Sequence, residues 1–345
     1  MKVAILGAGG IGMATAALLC RNGHLPVIWS PSGRVAKYDP LVAEGAIEGE
    51  FQLDVAVSCA EAVQDASAVV FAIPAYGHRS VMDEAIGHLQ PQQTAIVSSQ
   101  YSLSALYLAE RRPDITVVAW GTTVVMGRPL SPSRVKVLTV RAQLDACVLP
   151  ESAAATGLGL CRALFGDRFL ACKNLLAIQF SNVNPEAHMA NALCNLTRME
   201  KGENWDNYGG ITETVGRLIE ALDDERLEVA RAYGVKVRTI HQHMHLSFDL
   251  PYGSMGAMAA GVLAKGGSPG PTSLQTRWIG EDIPFGLVPT VALADLAGVS
   301  TPLHAAGVRI FSALFGRNFE GENDLLPALA LTAATAGDLL HRVQR

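Results

Sequence analysis

The sequence is poor in charge, with Asp, Glu, Lys and Arg making up 17% of its 345 residues. Its formal net charge is −5 and it holds no long run of Lys and Arg. That excludes nucleic acid as the main partner, because phosphate binding needs clustered cations. The six cysteines, Cys20, Cys59, Cys147, Cys161, Cys172 and Cys194, form no C-x-x-C pair. Scattered cysteines in apolar surroundings read as small core residues in a reducing compartment. A P-loop lysine and a G-x-S-x-G element are both missing, which leaves NTP-driven and serine-hydrolase chemistry without support. No uninterrupted apolar run reaches the ~18 residues that a membrane span needs. Lys2 and the apolar run to Cys20 have the outline of a lipoprotein signal, but glycines at 7, 9, 10 and 12 would break a signal helix. The expectation is a cytoplasmic protein with neither a membrane nor a nucleic-acid partner.

What is present is apolar residue, 49% of the chain, in a length that suits two domains. Short β-rich runs alternate with helical stretches in the first half: 3–6, 27–29, 54–57, 68–73, 95–97 and 116–119 read as strands, and 11–22 as a helix. Strands that are apolar throughout predict a sheet covered on both faces, built from parallel βαβ units. Residues 135–140 read as a later, more exposed strand. Beyond Cys172 helical patterns take over, at 184–200, 212–233, 235–245 and 303–315, with a loop at 266–271. The expected architecture is an α/β Rossmann domain over 1–172 followed by an all-α helical domain over 173–345, with an active site between them.

Gly7-Ala8-Gly9-Gly10-Ile11-Gly12 matches G-x-G-x-x-G between a strand and a helix. The first glycine permits the tight turn, the second lets backbone approach a pyrophosphate, and the third lets helix pack on strand. The helix N-terminus then offers N–H groups and a favourable dipole to phosphates. Gly7, Gly9, Gly10, Ile11 and Gly12 are therefore candidate cofactor residues, joined by Pro74 at the end of a later strand. NAD-specific sites place a carboxylate at the end of the second strand. Ser30 stands there, followed by Pro31-Ser32-Gly33-Arg34. Ser30, Ser32 and Arg34 suit a ribose 2′-phosphate, which favours NADP(H) and leaves NAD(H) open. Arg34 also reads as an ordinary surface residue. His78 reads as the start of a helix.

The second half carries Asn184-Pro185-Glu186-Ala187-His188, continuing to Asn195, Arg198 and Glu200. Pro185 can start a helix. His188, Asn191 and Asn195 then share one face. A polar stripe of this kind is expensive to bury without partners or function. His188 suits general acid–base work, since imidazole titrates near neutral pH, although a satisfied core histidine has the same pattern. Far downstream lies Arg277-Trp278-Ile279-Gly280-Glu281-Asp282-Ile283-Pro284-Phe285-Gly286-Leu287-Val288-Pro289. One of its adjacent carboxylates could orient the His188 imidazole; a pair of solvated loop acids is the other reading.

These segments resemble the opine dehydrogenases, the octopine and nopaline dehydrogenase family. The resemblance rests on N-P-x-x-H at 184–188, on N-x-x-R-x-E at Asn195, Arg198 and Glu200, and on the run 277–289. The stretch from Val215-Gly216-Arg217 to Asp224-Glu225-Arg226 also fits. The resemblance implies reductive condensation of an amino acid's amine with an α-keto acid through an imine, using a nicotinamide hydride. It implies His188 as proton donor and acceptor, paired with Asp282. Arg198 reads as a carboxylate-binding residue or as a partner of Glu200 or Glu203. Arg277 has the same two readings. Thr122 and Thr123 form a pair without the acidic residue that some members place before it. Asn191, Asn195, Arg198, Thr122 and Thr123 are the candidate substrate contacts, and a homodimer is expected.

His241, His243 and His245 form H-x-H-x-H, whose first and last members share a helix face. A hydrated helix face or end explains them better than a metal does, so no metal ligand is assigned. Two further functional readings stand. One is a keto acid reductase resembling ketopantoate reductases, with no amine partner, for which Lys173 and Lys201 are the nearest candidate lysines. The other is a non-catalytic dinucleotide sensor.

Overall fold

The computed structural model describes residues 1–33 and 37–344. They divide into two compact units, one drawn from residues 1–179 with 341–344 and one of 180–340. The expected boundary lay after Cys172. The short helix at Leu175–Gln179 instead groups with the first unit.

Among the described residues the first unit holds twelve strands: β1 (Lys2–Leu6), β2 (Leu25–Trp29), β3 (Leu41–Gly45), β4 (Gly49–Phe51), β5 (Asp54–Val55), β6 (Ala68–Phe71), β7 (Thr94–Val97), β8 (Thr116–Trp120), β9 (Val125–Ser131), β10 (Arg134–Val140), β11 (Leu144–Leu149) and β12 (Phe169–Ala171). Eight of them form one sheet in the order β12-β11-β8-β7-β6-β1-β2-β5. Its pairings are parallel except for β11 against β8. The residues of β1, β6 and β7 are almost wholly buried, as a sheet covered on both faces requires. This is a Rossmann-like sheet. The strand expected over 54–57 stops at Val55, and Val57 is 92% exposed.

A second sheet, β4-β3-β10-β9, was foreseen only at 135–140. It lies against the helix α1 (Gly10–Arg21), where Gly10 and Gly127 meet backbone to backbone. A Cβ on Gly10 would stand 2.5 Å from the Gly127 carbonyl oxygen. Val135 and Val137 fill the inner face of this sheet, and Lys136 and Leu138 point outward.

The second unit is helical, and its only strand pairing among the described residues is a single bridge between Asp206 and Pro269. Its main helices are α2 (Asn184–Cys194), α3 (Leu196–Glu200), α4 (Glu213–Ala232), α5 (Ile240–Phe248), α6 (Met255–Ala264), α7 (Arg277–Gly280), α8 (Val288–Ala297) and α9 (Pro302–Phe315). The single helix expected over 184–200 breaks at Asn195. There the side-chain amide bonds the Asn191 carbonyl at 3.0 Å and competes with the backbone. The helix expected from 235 begins at Ile240. Thr239 and Gln242 form a capping box, and Gly234, at φ +66°, closes the preceding helix α4. Among the described residues no helix is long and apolar enough to cross a membrane.

Candidate active site

The phosphate turn is built as its glycines demand. Gly7 has φ +127°, and a Cβ there would overlap the Ala72 carbonyl. A Cβ on Gly12 would overlap the carbonyl of Gly7. Around Gly9 the space is open. The first N–H of α1 bonded within the helix is that of Met13, to Gly9 at 2.9 Å, and no side chain caps the helix. The Gly7 N–H is donated to the Trp29 carbonyl at 2.8 Å, and the N–H groups at residues 9–12 would face an anion at the carboxyl end of β1. These features fit a dinucleotide's pyrophosphate. Ser30 follows β2, with its hydroxyl 3.0 Å from that of Ser32. Arg34 lies outside the described residues. Pro74 is exposed after β6. His78 is fully buried beside it, its Nε2 3.2 Å from the Ile73 carbonyl, and burial pushes its pKa down to about 4. It is a neutral structural group at ordinary pH.

After β8, Thr122 and Thr123 are half-buried. The Thr123 hydroxyl donates to the Val125 carbonyl at 2.6 Å, and Arg141 holds the Thr123 carbonyl at 3.0 Å.

In the second unit His188 lies on α2, with Nδ1 2.7 Å from Asp282 Oδ2. The Asp282 side chain is 1% exposed and that of His188 15%. A carboxylate that accepts from Nδ1–H leaves the Nε2 lone pair outward, as an acceptor of protons. The His188 ring lies flat on the Trp278 indole, at 4.5 Å between centroids and 10° between planes.

Local sequence explains how a residue 94 positions away reaches His188. Residues Ile283–Leu287 form a π-helical turn, with Val288 N–H bonded to the Ile283 carbonyl. Pro289 has no N–H for the next carbonyl, that of Pro284. The buried Asn323 amide supplies the missing donor at 2.7 Å. Gly286 presses against Pro185, the second residue of α2, where any Cβ would collide. The turn therefore sits tight on the start of the helix that carries His188.

Asn191 and Asn195, expected to meet substrate, are buried and bonded within the protein. Asn191 donates to the Asn207 carbonyl and side chain at 2.9 and 2.8 Å. Asn195 donates to Asn191 Oδ1 at 2.8 Å. Both hold the 205–210 loop against α2. Arg198 pairs with Glu203 at 3.2 Å, is 41% exposed, and lies 5.3 Å over the Trp205 ring. Arg277 is exposed.

A second buried histidine passed unnoticed in the sequence. His304 Nδ1 is 2.7 Å from Glu225, and its Nε2 3.4 Å from Glu186. Burial alone would lower its pKa, but the two carboxylates outweigh burial and raise it. Glu186 stands two places before His188 in the N-P-x-x-H helix, which was the available signal. The H-x-H-x-H histidines turn to separate protein partners: His241 to Glu220 at 3.1 Å, and His245 to the Leu250 carbonyl at 2.6 Å.

Residues 171–315 match the family model of the NAD/NADP octopine/nopaline dehydrogenase α-helical domain. Residues 2–100 match that of the NAD-dependent glycerol-3-phosphate dehydrogenase N-terminus. The opine dehydrogenase of Arthrobacter sp. (strain 1C) is 28% identical over 353 residues, covering 99% of this chain and 98% of that one. In fold, the chain is similar to octopine dehydrogenase solved with NADH and agmatine, with TM-score 0.79, 16% identity, and 99% and 98% of the two chains covered. It is also similar to NADP+-bound yersinopine dehydrogenase, with TM-score 0.73, 18% identity, and 99% and 97% covered. A dinucleotide-binding unit followed by this helical domain defines an NAD(P)-dependent oxidoreductase acting on CH–NH donors. The helical domain is thus similar to that of octopine and nopaline dehydrogenases, and the chain as a whole is similar to an opine dehydrogenase over nearly its full length.

Proposed function

We infer that the protein condenses the amine of an amino acid with an α-keto acid and reduces the resulting imine to a secondary-amine dicarboxylate. The observation that carries this reading is the 2.7 Å pair of His188 and Asp282, on the two segments that carry the family motifs. Asp282 fixes the tautomer in which Nε2 is basic. Nε2 takes a proton from the substrate ammonium, which frees the amine to attack the keto carbon. The carbinolamine expels water as His188 returns a proton to the leaving oxygen. A nicotinamide dinucleotide held at the glycine turn would supply the hydride for the carbon–nitrogen double bond. Arg198, half-exposed and set over the Trp205 ring, binds a substrate carboxylate in this reading.

For the cofactor we favour NADP(H). No carboxylate ends β2, and Ser30 and Ser32 present adjacent hydroxyls where a 2′-phosphate would lie. The test is oxidation of NADPH and NADH with α-keto acids, with and without amino acids. Turnover that needs the amine supports condensation. Turnover with the keto acid alone supports a simple keto acid reductase. Unchanged turnover in His188→Ala overturns the acid–base assignment.

A further inference from the structure

We propose that Trp278 is a positioning residue whose indole face sets the plane of the His188 imidazole and steadies its protonated form. The proposal rests on His188 being the acid–base group. One hydrogen bond at Nδ1 fixes where that nitrogen points, yet leaves the ring free to tilt about the line to Asp282. Nε2, across the ring, would sweep an arc. The indole at 4.5 Å and 10° removes that freedom. It also presents a π face to a ring that becomes cationic during turnover, and the two attract.

Trp278 can do this only if it is itself immobile, and the structure supplies the support. It is 7% exposed. The Trp205 ring meets it edge to face, at 6.2 Å and 89°. Trp205 is clamped in turn: a Cβ on Gly210 or Gly270 would overlap its ring, and its Nε1 donates to the Pro271 carbonyl at 2.8 Å. Arg198 covers Trp205 from outside. A continuous series of ring contacts thus runs from Arg198 through Trp205 and Trp278 to His188. The contact on Trp278 that calls for a flat aromatic ring is its stacking on His188.

The experiment compares Trp278→Met, which fills the volume without a flat face, with Trp278→Phe, which keeps one. Folding is checked by circular dichroism and by affinity for the dinucleotide; Trp278→Leu replaces the Met variant should that one not fold. The Met variant is expected to lose kcat tenfold or more, with KM values and dinucleotide affinity within twofold to threefold. The Phe variant is expected to stay within about threefold of the parent. In a His188→Asn background the Met substitution is expected to change the residual rate by less than twofold. A folded Met variant with parental kcat overturns the proposal, as does a Phe variant no better than Met. A further tenfold loss in the His188→Asn background overturns it too. Parental turnover in His188→Asn alone would instead overturn the acid–base reading beneath it.

Discussion

Asp282 and His188 are 94 residues apart in sequence and 2.7 Å apart in space. The carboxylate is buried and the imidazole retains a partly open edge, so the pair behaves as an oriented base. Replacing Asp282 by Asn keeps the shape but removes the charge and lets the wrong tautomer form. Asp282→Asn is expected to lower kcat by on the order of 10²–10⁴, the range that a positioned acid–base group contributes. Dinucleotide affinity is expected to stay within twofold. Steady-state kinetics and a fluorescence titration check both halves.

Asn323 holds this arrangement from behind. Its amide satisfies the Pro284 carbonyl, and its own oxygen accepts from the Leu326 N–H at 3.0 Å. Asn323→Ala leaves both backbone groups buried without these partners, at about 1–3 kcal/mol for each. Urea unfolding is expected to show a lower midpoint, and kcat to fall as the π-helical turn loosens. An unchanged midpoint would mean that the turn does not depend on this amide.

The phosphate turn gives a separable prediction. A methyl group at Gly12 would overlap the Gly7 carbonyl and push α1 away from β1. Gly12→Ala is expected to weaken dinucleotide binding at least tenfold while the helix content by circular dichroism stays near that of the parent.

His78 predicts how stability depends on pH. Its folded pKa is pushed down to about 4 by burial, against 6.5 when unfolded. Between those values the unfolded chain binds a proton that the folded chain does not. Stability therefore falls as pH drops from 6.5 towards 4, by about 3 kcal/mol at about 1.36 kcal/mol per pKa unit. Thermal melts between pH 7 and 4 check the slope, and a His78→Gln variant is expected to flatten it.

Much of this was legible in the sequence because its signals are local. The glycine turn needs six consecutive residues, and the apolar runs 3–6 and 68–73 declare a covered sheet by themselves. His188 and Asp282 were legible because each sits in a distinctive segment. The second sheet was harder to see. β3 and β4 are short, and β9 contains Gly127 and Pro129, residues that weaken any strand signal. The roles of Asn191 and Asn195 were hidden for a different reason. Helical spacing shows which face they share, but not that Asn207 comes back to occupy it. The Trp278–His188 stack joins elements 90 positions apart and leaves no periodic trace.

The most direct measurement is product analysis with dinucleotide carrying deuterium as its transferable hydrogen. The protein is incubated with this reductant, an α-keto acid and a panel of amino acids, and the products are read by mass spectrometry. The expected product is a secondary amine with the mass of the two substrates less water plus one deuterium and one hydrogen, labelled at the former keto carbon. A labelled 2-hydroxy acid, formed equally well without any amine, would contradict the account.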